Sequence, residues 1–340
     1  MKKTAIILLF LSITLVLASC GGEEQSGGAE GKKKDGNVDV YTTVYPLQFF
    51  AEEIGGDTVN VQSILPPGSD AHTYEPTTKE MVKMAGADLF IYNGAGLEGY
   101  AEKISDSIEP EGVTILEAAS NINLDEPIHD HLQADSHAKE EDGTDKDNKH
   151  NHEEDQTPDH DGHNHGDTNP HVWLDPIRSA QMAENIKDKL VLLNPEKEEM
   201  YQQNYNQLEN KLMELDQTFH ERIESKAKRK LIVSHAAYGY WEEAYGIEQI
   251  AVAGLSPTNE PSQKDLEEII HVAEENDLNY VVFEQNVTTK VSKVIQKEIG
   301  AESLQFHNLS VLSQKDINNG EDYFSLMNEN LDALSTALSN

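Results

Sequence analysis

Val38-Asp-Val-Tyr-Thr-Thr43, followed almost at once by Tyr45-Pro-Leu-Gln-Phe-Phe-Ala-Glu-Glu-Ile-Gly-Gly56, decides the fold class. The first run alternates and carries β-branched residues, which predicts a strand. The second places apolar residues at helical spacing and closes on two glycines, the residue type that most readily ends a helix. Together they make one βα unit. Outward from it, strands are predicted over 58–65, 88–92 and 113–116 and helices over 77–87 and 97–108, with Pro66-Pro-Gly68 as a turn. A second series has strands over 230–234, 247–252, 280–284 and 303–306, separated by helices over 237–245, 262–276 and 288–300 and closed by a helix over 323–338. Strands alternating with helices imply parallel sheets with covered faces. No close sequence repeat relates the two series, so their likeness is architectural.

Between them lies a long helical region. Asp175-Pro176 predicts an N-cap and first helical residue for a helix to about residue 193, and Asn194-Pro195 restarts another to about residue 226. Tyr201, Tyr205, Leu208, Leu212, Leu215, Phe219 and Ile223 fall at spacings of four and three, on one stripe. About 31 residues at 1.5 Å each span roughly 45 Å, enough to run the length of a two-lobed molecule. The expected fold is α/β: two βα lobes with mainly parallel sheets, joined by one long helix.

The chain of 340 residues is long enough for two lobes with real cores. Its first residues stand apart: Lys2 and Lys3, an apolar run over 5–18, then Leu17-Ala-Ser-Cys20. The run is shorter than the roughly 20 residues of a membrane-spanning helix, and reads as a secretory signal over 1–19. Cys20 is the single cysteine, and its setting resembles a bacterial lipobox, whose cysteine is lipidated (palmitate and related chains) and becomes the new N-terminus. Residues 20–37, rich in Gly, Glu, Ser and Lys, are then a flexible tether. Without Lys2 and Lys3, 24 basic residues face 62 acidic ones, a formal charge of about −38. Nucleic acid is excluded as a partner by that charge. A strongly negative protein held near a membrane concentrates cations, although such charge also suits a solvated surface in a salty or alkaline medium.

From residue 125 to 168 the βα pattern stops. This tract holds His129, His131, His137, His150, His152, His160, His163 and His165 among many acids and almost nothing apolar, the composition of a disordered insertion. These are accessory metal candidates: they collect zinc transiently and pass it on, sense it at low affinity, or form a solvated loop. The sequence leaves those three open.

Directly after the tract comes Asn169-Pro-His-Val-Trp-Leu-Asp-Pro176. Pro170 restricts the approach to His171, Val172, Trp173 and Leu174 anchor the loop, and Asp175 caps the next helix. Three further residues stand at predicted strand ends or just beyond: His72 in Pro67-Gly-Ser-Asp-Ala-His-Thr-Tyr-Glu-Pro76, His235 in Val233-Ser-His235, and Glu284 in Val282-Phe-Glu-Gln285. Carboxyl ends of strands border the ligand crevice of open α/β sheets, which would let all four meet in one interlobe cleft. Three neutral imidazoles and one carboxylate suit zinc; manganese prefers more oxygen. His220, His271 and His307 are expected to be exposed or ordinarily hydrogen-bonded.

The proline-glycine loop with His72, the Asn-Pro-His171 segment, Ser234-His235, Gly254-Leu-Ser-Pro-Thr-Asn-Glu-Pro261 and Phe283-Glu284 together resemble the metal-binding solute receptors of bacterial ABC importers. Within that family the chain looks like the zinc-specific receptors of Gram-positive bacteria, over residues 38–340. The resemblance implies an N-terminal lobe over 38–195, a linking helix over 196–227, a C-terminal lobe over 228–340, and metal between the lobes. It also implies limited rocking on binding, a zinc pattern at His235 and Glu284 where manganese receptors carry two acids, and Zn2+ as transported ligand. The partners it implies are a membrane permease and its cytoplasmic ATPase, with a monomeric receptor lipid-anchored on the extracellular face. Gly99-Tyr100 and Asn308-Leu-Ser310 depart from the family's commoner pairs without touching the four ligands.

A manganese receptor, a surface adhesin and a zinc hydrolase are the competing readings. No His-Glu-x-x-His helix is present, and His163-Asn-His165-Gly-Asp167 lacks the following histidine and supporting strand of a metallohydrolase. Four filled positions indicate storage or transport, whereas catalytic zinc keeps one open. Because imidazole must be neutral to bind, affinity is expected to fall below about pH 6.

Overall fold

The computed structural model describes residues 36–125, 168–285 and 290–339. Cys20, the leader, most of the tether and the eight tract histidines lie outside the described residues.

The first half runs β1 (Val38–Thr42), α1 (Tyr45–Gly55), β2 (Val59–Ser63), α2 (Thr78–Met84), β3 (Leu89–Tyr92), α3 (Ala101–Ile108) and β4 (Thr114–Glu117). Its four strands are all parallel, in the order β2-β1-β3-β4. Gly56 ends α1 at φ +54, a backbone region that residues with a Cβ rarely adopt. Thr77 and Glu80 form a reciprocal capping box that opens α2, one residue later than its periodicity predicts. The third helix begins at Ala101 instead of residue 97 because Glu98 turns inward. Its carboxylate accepts from Thr43 Oγ1 at 2.6 Å, Asn93 N at 2.9 Å and Gly94 N at 3.2 Å, and burial raises its pKa against the pull of those bonds.

Two helices packed against one another follow in sequence, α4 (Pro176–Leu193) and α5 (Glu198–Glu224), separated by a 3-10 turn at Pro195–Lys197. All seven residues of the predicted stripe on α5 are buried. The second half runs β5 (Lys230–His235), α6 (Gly239–Tyr245), β6 (Glu248–Ala253), α7 (Gln263–Glu275), β7 (Tyr280–Glu284), α8 (Lys290–Glu298), β8 (Glu302–Phe306), α9 (Gln314–Asn319) and α10 (Tyr323–Ala337). Its order, β6-β5-β7-β8, is again fully parallel and repeats the order of the first sheet. The short α9 is not predicted by apolar periodicity; Ser313 and Asp316 set it through another capping box.

Segment 169–178 is the seam between the halves. Trp173 is fully buried and donates Nε1–H to the Asn308 carbonyl at 2.7 Å, while Trp241 donates to the Leu174 carbonyl at 2.7 Å. Tyr323 OH donates to the Trp173 carbonyl at 2.8 Å. Asp175 caps α4 through the backbone N–H of Ile177 and Arg178 at 2.8 and 3.1 Å. Arg178, also buried, pairs with Asp175 at 2.6 Å, reaches Glu243 on α6 at 2.9 Å and lies over the Tyr240 ring. Removing one member of a buried ion pair strands the other charge, at about 3–5 kcal/mol. Arg178→Ala is therefore expected to lower the stability read from a urea midpoint by about that amount, whereas Lys211→Ala, at an exposed pair with Glu53, should change it by less than about 1 kcal/mol.

Candidate metal centre

Each candidate ligand is placed by a local device. His171 follows Asn169, whose side-chain Oδ1 accepts from the His171 backbone N at 3.1 Å and faces His171 Nδ1 at 2.8 Å. A carboxamide oxygen accepts only, so these partners assign the proton to Nδ1 and leave the Nε2 lone pair aimed the other way. The segment itself is tied on both sides. Asn93 Nδ2 donates to the Pro170 carbonyl at 2.9 Å, and Tyr240 OH donates to the Asn169 carbonyl at 2.6 Å. Gly239 allows this approach, since a Cβ there would lie 2.9 Å from Asn169 Nδ2.

His72 lies in the loop after β2, where its backbone N donates to Asp70 Oδ1 at 3.0 Å, and that loop is joined to the second half by Gly68 N donating to the Leu312 carbonyl at 3.1 Å. His235 and Glu284 are the last residues of β5 and β7. These are the two neighbouring central strands at which the order of the second sheet reverses, the place where open α/β sheets bind ligands.

The structure brings three imidazoles together. His72 Nε2 lies 3.1 Å from His171 Nε2, and His235 Nε2 lies 3.2 Å from the same atom. All three donor atoms fall within 4.8 Å of one another; among the described residues this is the one group of His, Cys, Asp and Glu donors that converges in this way. Glu284 stands at its side. Its Oε1 makes an ion-pair contact with His235 Nδ1, although the approach is off the line of the ring N–H and forms no aligned hydrogen bond. Ser234 Oγ donates to Oε1 at 3.2 Å and Asn308 Nδ2 to Oε2 at 2.9 Å. His171 and His235 are buried and His72 is half-buried, facing an open cavity of about 440 Å³ lined by Gly96, Thr168, Pro170, Ser256 and Asn259 among others.

Electrostatics favour the neutral form of His171 and of His72. Burial, then the neighbouring His235 and His72, hold the His171 pKa well below 6.5; burial and His235 lower that of His72, against the smaller upward pulls of Asp70 and Glu284. Neutral nitrogens converging on one point can share a Lewis acid such as zinc, but they cannot share protons without repulsion.

Among the described residues, the other three histidines stand apart from this centre. His220 and His271 lie beside acids on their own helices, Asp216 at 3.6 Å and Glu275 at 3.4 Å. His307 is buried against Asp316 at 3.2 Å, with its pKa lowered by burial.

The family model described as zinc-uptake complex component A, periplasmic (ZnuA), matches residues 40–337. The chain belongs to the ZnuA family. It is 30% identical over 340 residues to the zinc-binding lipoprotein AdcA of Streptococcus pneumoniae R6, a match covering 98% of this chain and 60% of that protein. The chain thus spans about 60% of the length of that relative. It is also 30% identical to the high-affinity zinc uptake system protein ZnuA of Bacillus subtilis 168, over 99% of this chain and 98% of that one. Its fold superposes on the crystal structure of the Zn(II)-bound ZnuA-like domain of pneumococcal AdcA with a TM-score of 0.70 and 28% identity, covering 90% of this chain and all of that one.

Sequence reasoning names the three converging histidines of this ZnuA-family chain but not Asn169, Ser234 or Asn308, the side chains that orient His171 and Glu284. Asn169 had a signal, since an Asn two residues before a helix-entry histidine can accept from that residue's backbone. Asn308 had none. The pKa shifts carry a pH expectation. Where the folded pKa of a histidine is below 6.5, the unfolded chain binds more protons at lower pH, so metal-free protein should lose stability as pH falls from about 6.5 toward the lowered folded values and gain nothing above it. Zinc affinity should be flat from about pH 8 to 6.5 and fall only below that, as measured by chelator competition across pH. A decline already under way between pH 8 and 7 would point to a donor of higher pKa.

Proposed function

We propose that this chain is an extracellular receptor that captures Zn2+ between its two halves and delivers it to an ABC-type permease driven by a cytoplasmic ATPase. The observation that carries the reading is the convergence of His72, His171 and His235 through their Nε2 atoms. Glu284 is the proposed fourth donor, bringing the negative charge that three neutral imidazoles lack; its Oε1 contacts the Nδ1 edge of His235, outside the converging Nε2 group. Such a nitrogen-rich set favours zinc over manganese, which generally takes more oxygen donors. The family's description as an uptake-complex component and the zinc-uptake name of the B. subtilis relative support delivery to a transporter. Four protein donors leave no position for an activated water, so the chain acts by reversible binding and breaks no bond in a substrate. Capture and release follow from the seam: metal draws together donors contributed by both halves, and docking on the permease separates them.

Cys20 is the proposed lipid-attachment residue, after removal of 1–19, and holds a monomeric receptor at the outer face of a Gram-positive membrane. The lipobox-like setting of Cys20 and the lipoprotein name of the pneumococcal relative support this. The eight tract histidines are proposed as a low-affinity accessory to the cleft.

Native mass spectrometry with metal analysis tests the site. A chain lacking 126–167 should retain one tightly held zinc and lose it on His171→Ala, with at least a hundredfold drop in affinity. Zinc absent from that chain, or retained without His171, would move metal binding elsewhere. If deletion of 130–166 leaves uptake unchanged under severe zinc limitation, the tract has no delivery role.

A further inference from the structure

The loop 307–310 after β8 grips both the Glu284 carboxylate and the segment carrying His171. Asn308 is buried at 7% exposure, with both ends of its side-chain amide and its carbonyl engaged. Its Nδ2 donates to Glu284 Oε2 at 2.9 Å, and its Oδ1 accepts from Ser310 N at 3.1 Å and Ser310 Oγ at 2.8 Å. Its carbonyl accepts from Trp173 Nε1 at 2.7 Å, and the Trp173 ring lies 5.5 Å from that of His171. Two residues further on, the Ser310 carbonyl accepts from Tyr45 N at the start of α1, at 2.9 Å.

The loop is held in a costly shape. Leu309 is fully buried at φ +59, a left-handed conformation unfavourable for a residue with a Cβ, and its N–H donates to His307 Nδ1 at 2.9 Å. Asn330 closes the other side, giving its Nδ2 to the His307 carbonyl and taking the His307 N–H, both at 2.7 Å. A buried, strained turn so fully bonded holds its side chains in one orientation. The side chain it presents to the metal centre is Asn308.

We propose that Asn308 is a positioning residue for zinc capture: by fixing Glu284 through Nδ2 and Trp173 through its carbonyl, it sets where the carboxylate stands relative to the imidazole of His171. Asn308 touches no candidate donor other than Glu284, so its side chain acts on the metal through that carboxylate. The choice of an amide is chemically pointed. Its N–H group donates to a carboxylate and leaves the charge of Glu284 intact, whereas Asp at the same place would set a second negative charge against Oε2. Ser234 bonds the other oxygen, so the two together leave the carboxylate one orientation. Outer partners of this type commonly govern metal affinity by 10–100-fold. The inference rests on the reading of His72, His171, His235 and Glu284 as the zinc shell.

The test is a double-mutant cycle in the full chain. Zinc affinity is read by chelator competition at the site that His171→Ala removes, and the Co2+ absorption spectrum is recorded on the same proteins. Asn308→Ala should weaken zinc about tenfold with Glu284 present and shift the Co2+ spectrum. In a Glu284→Ala background the same substitution should change zinc affinity by less than about twofold, because nothing remains for Asn308 to position. Should Asn308→Ala fail to fold, Asn308→Ser keeps a short acceptor for the Ser310 backbone yet is too short to reach Glu284, and the same outcomes apply. Equal losses in both backgrounds would reduce Asn308 to a packing residue and overturn the proposal, as would an unchanged affinity and spectrum with Glu284 present. If the wild-type chain has no tight zinc that His171→Ala removes, it is the assignment of the zinc shell that fails.

Discussion

The indole of Trp173 is wholly buried and its one polar group is given to the carbonyl of Asn308, 135 positions further along the chain. Much of the molecule depends on that contact and its neighbours. An unpaired indole N–H in such a place would cost the desolvation of the group, so the bond locks the entry to α4 against the second half. Trp241 and Tyr323 then take the next two carbonyls of the same segment, Leu174 and Trp173, for the second half. The seam is thus stitched through backbone acceptors of one short stretch, and that stretch carries His171.

From this constraint the chemistry follows. His171 cannot swing out of the seam, because Asn169 holds its Nδ1 while Asn93 and Tyr240 hold the backbone around it. The other donors approach it from different sheets: His72 on a loop of the first, His235 at a strand end of the second. Neither half alone supplies three nitrogens. A cation bound at their meeting point would bond both halves at once, which couples capture to the relation between the sheets and makes release a matter of separating them. The two sheets share the order 2-1-3-4, and Asn93 just beyond β3 and His235 at the end of β5 both reach the seam.

Most of the secondary structure was legible in the chain, and the failures are instructive. Residues 230–234 and 280–284 read as strands because short apolar β-branched runs bounded by turns have little alternative, and they are strands to within a residue. The start of α3 was misplaced because Glu98, helical by propensity, is drawn inward by Thr43, Asn93 and Gly94, a tertiary demand that overrides a local one. The six-residue α9 was invisible to periodicity, being too short for an apolar stripe, although Ser313 and Asp316 had the spacing of a capping box. At the centre, His72, His171 and His235 could be singled out because each follows a strand or opens a helix. The orientation of Glu284 could not, because it depends on Ser234 and Asn308 rather than on its own neighbours.

The sequence by itself determined the βα alternation, the helix boundary set by Asp175, and the residue types able to hold a metal. These are properties of periodicity and capping, written within a few positions of one another. Tertiary structure alone decided which nitrogen of each imidazole faces inward, which carboxylate oxygen is held by Asn308, and that three histidines converge. His72 and His171 are 99 positions apart and His171 and His235 are 64 apart. No local rule orients rings across such separations. Their directions are set by hydrogen-bond partners that become neighbours only when two independently formed sheets close over the same ten-residue seam.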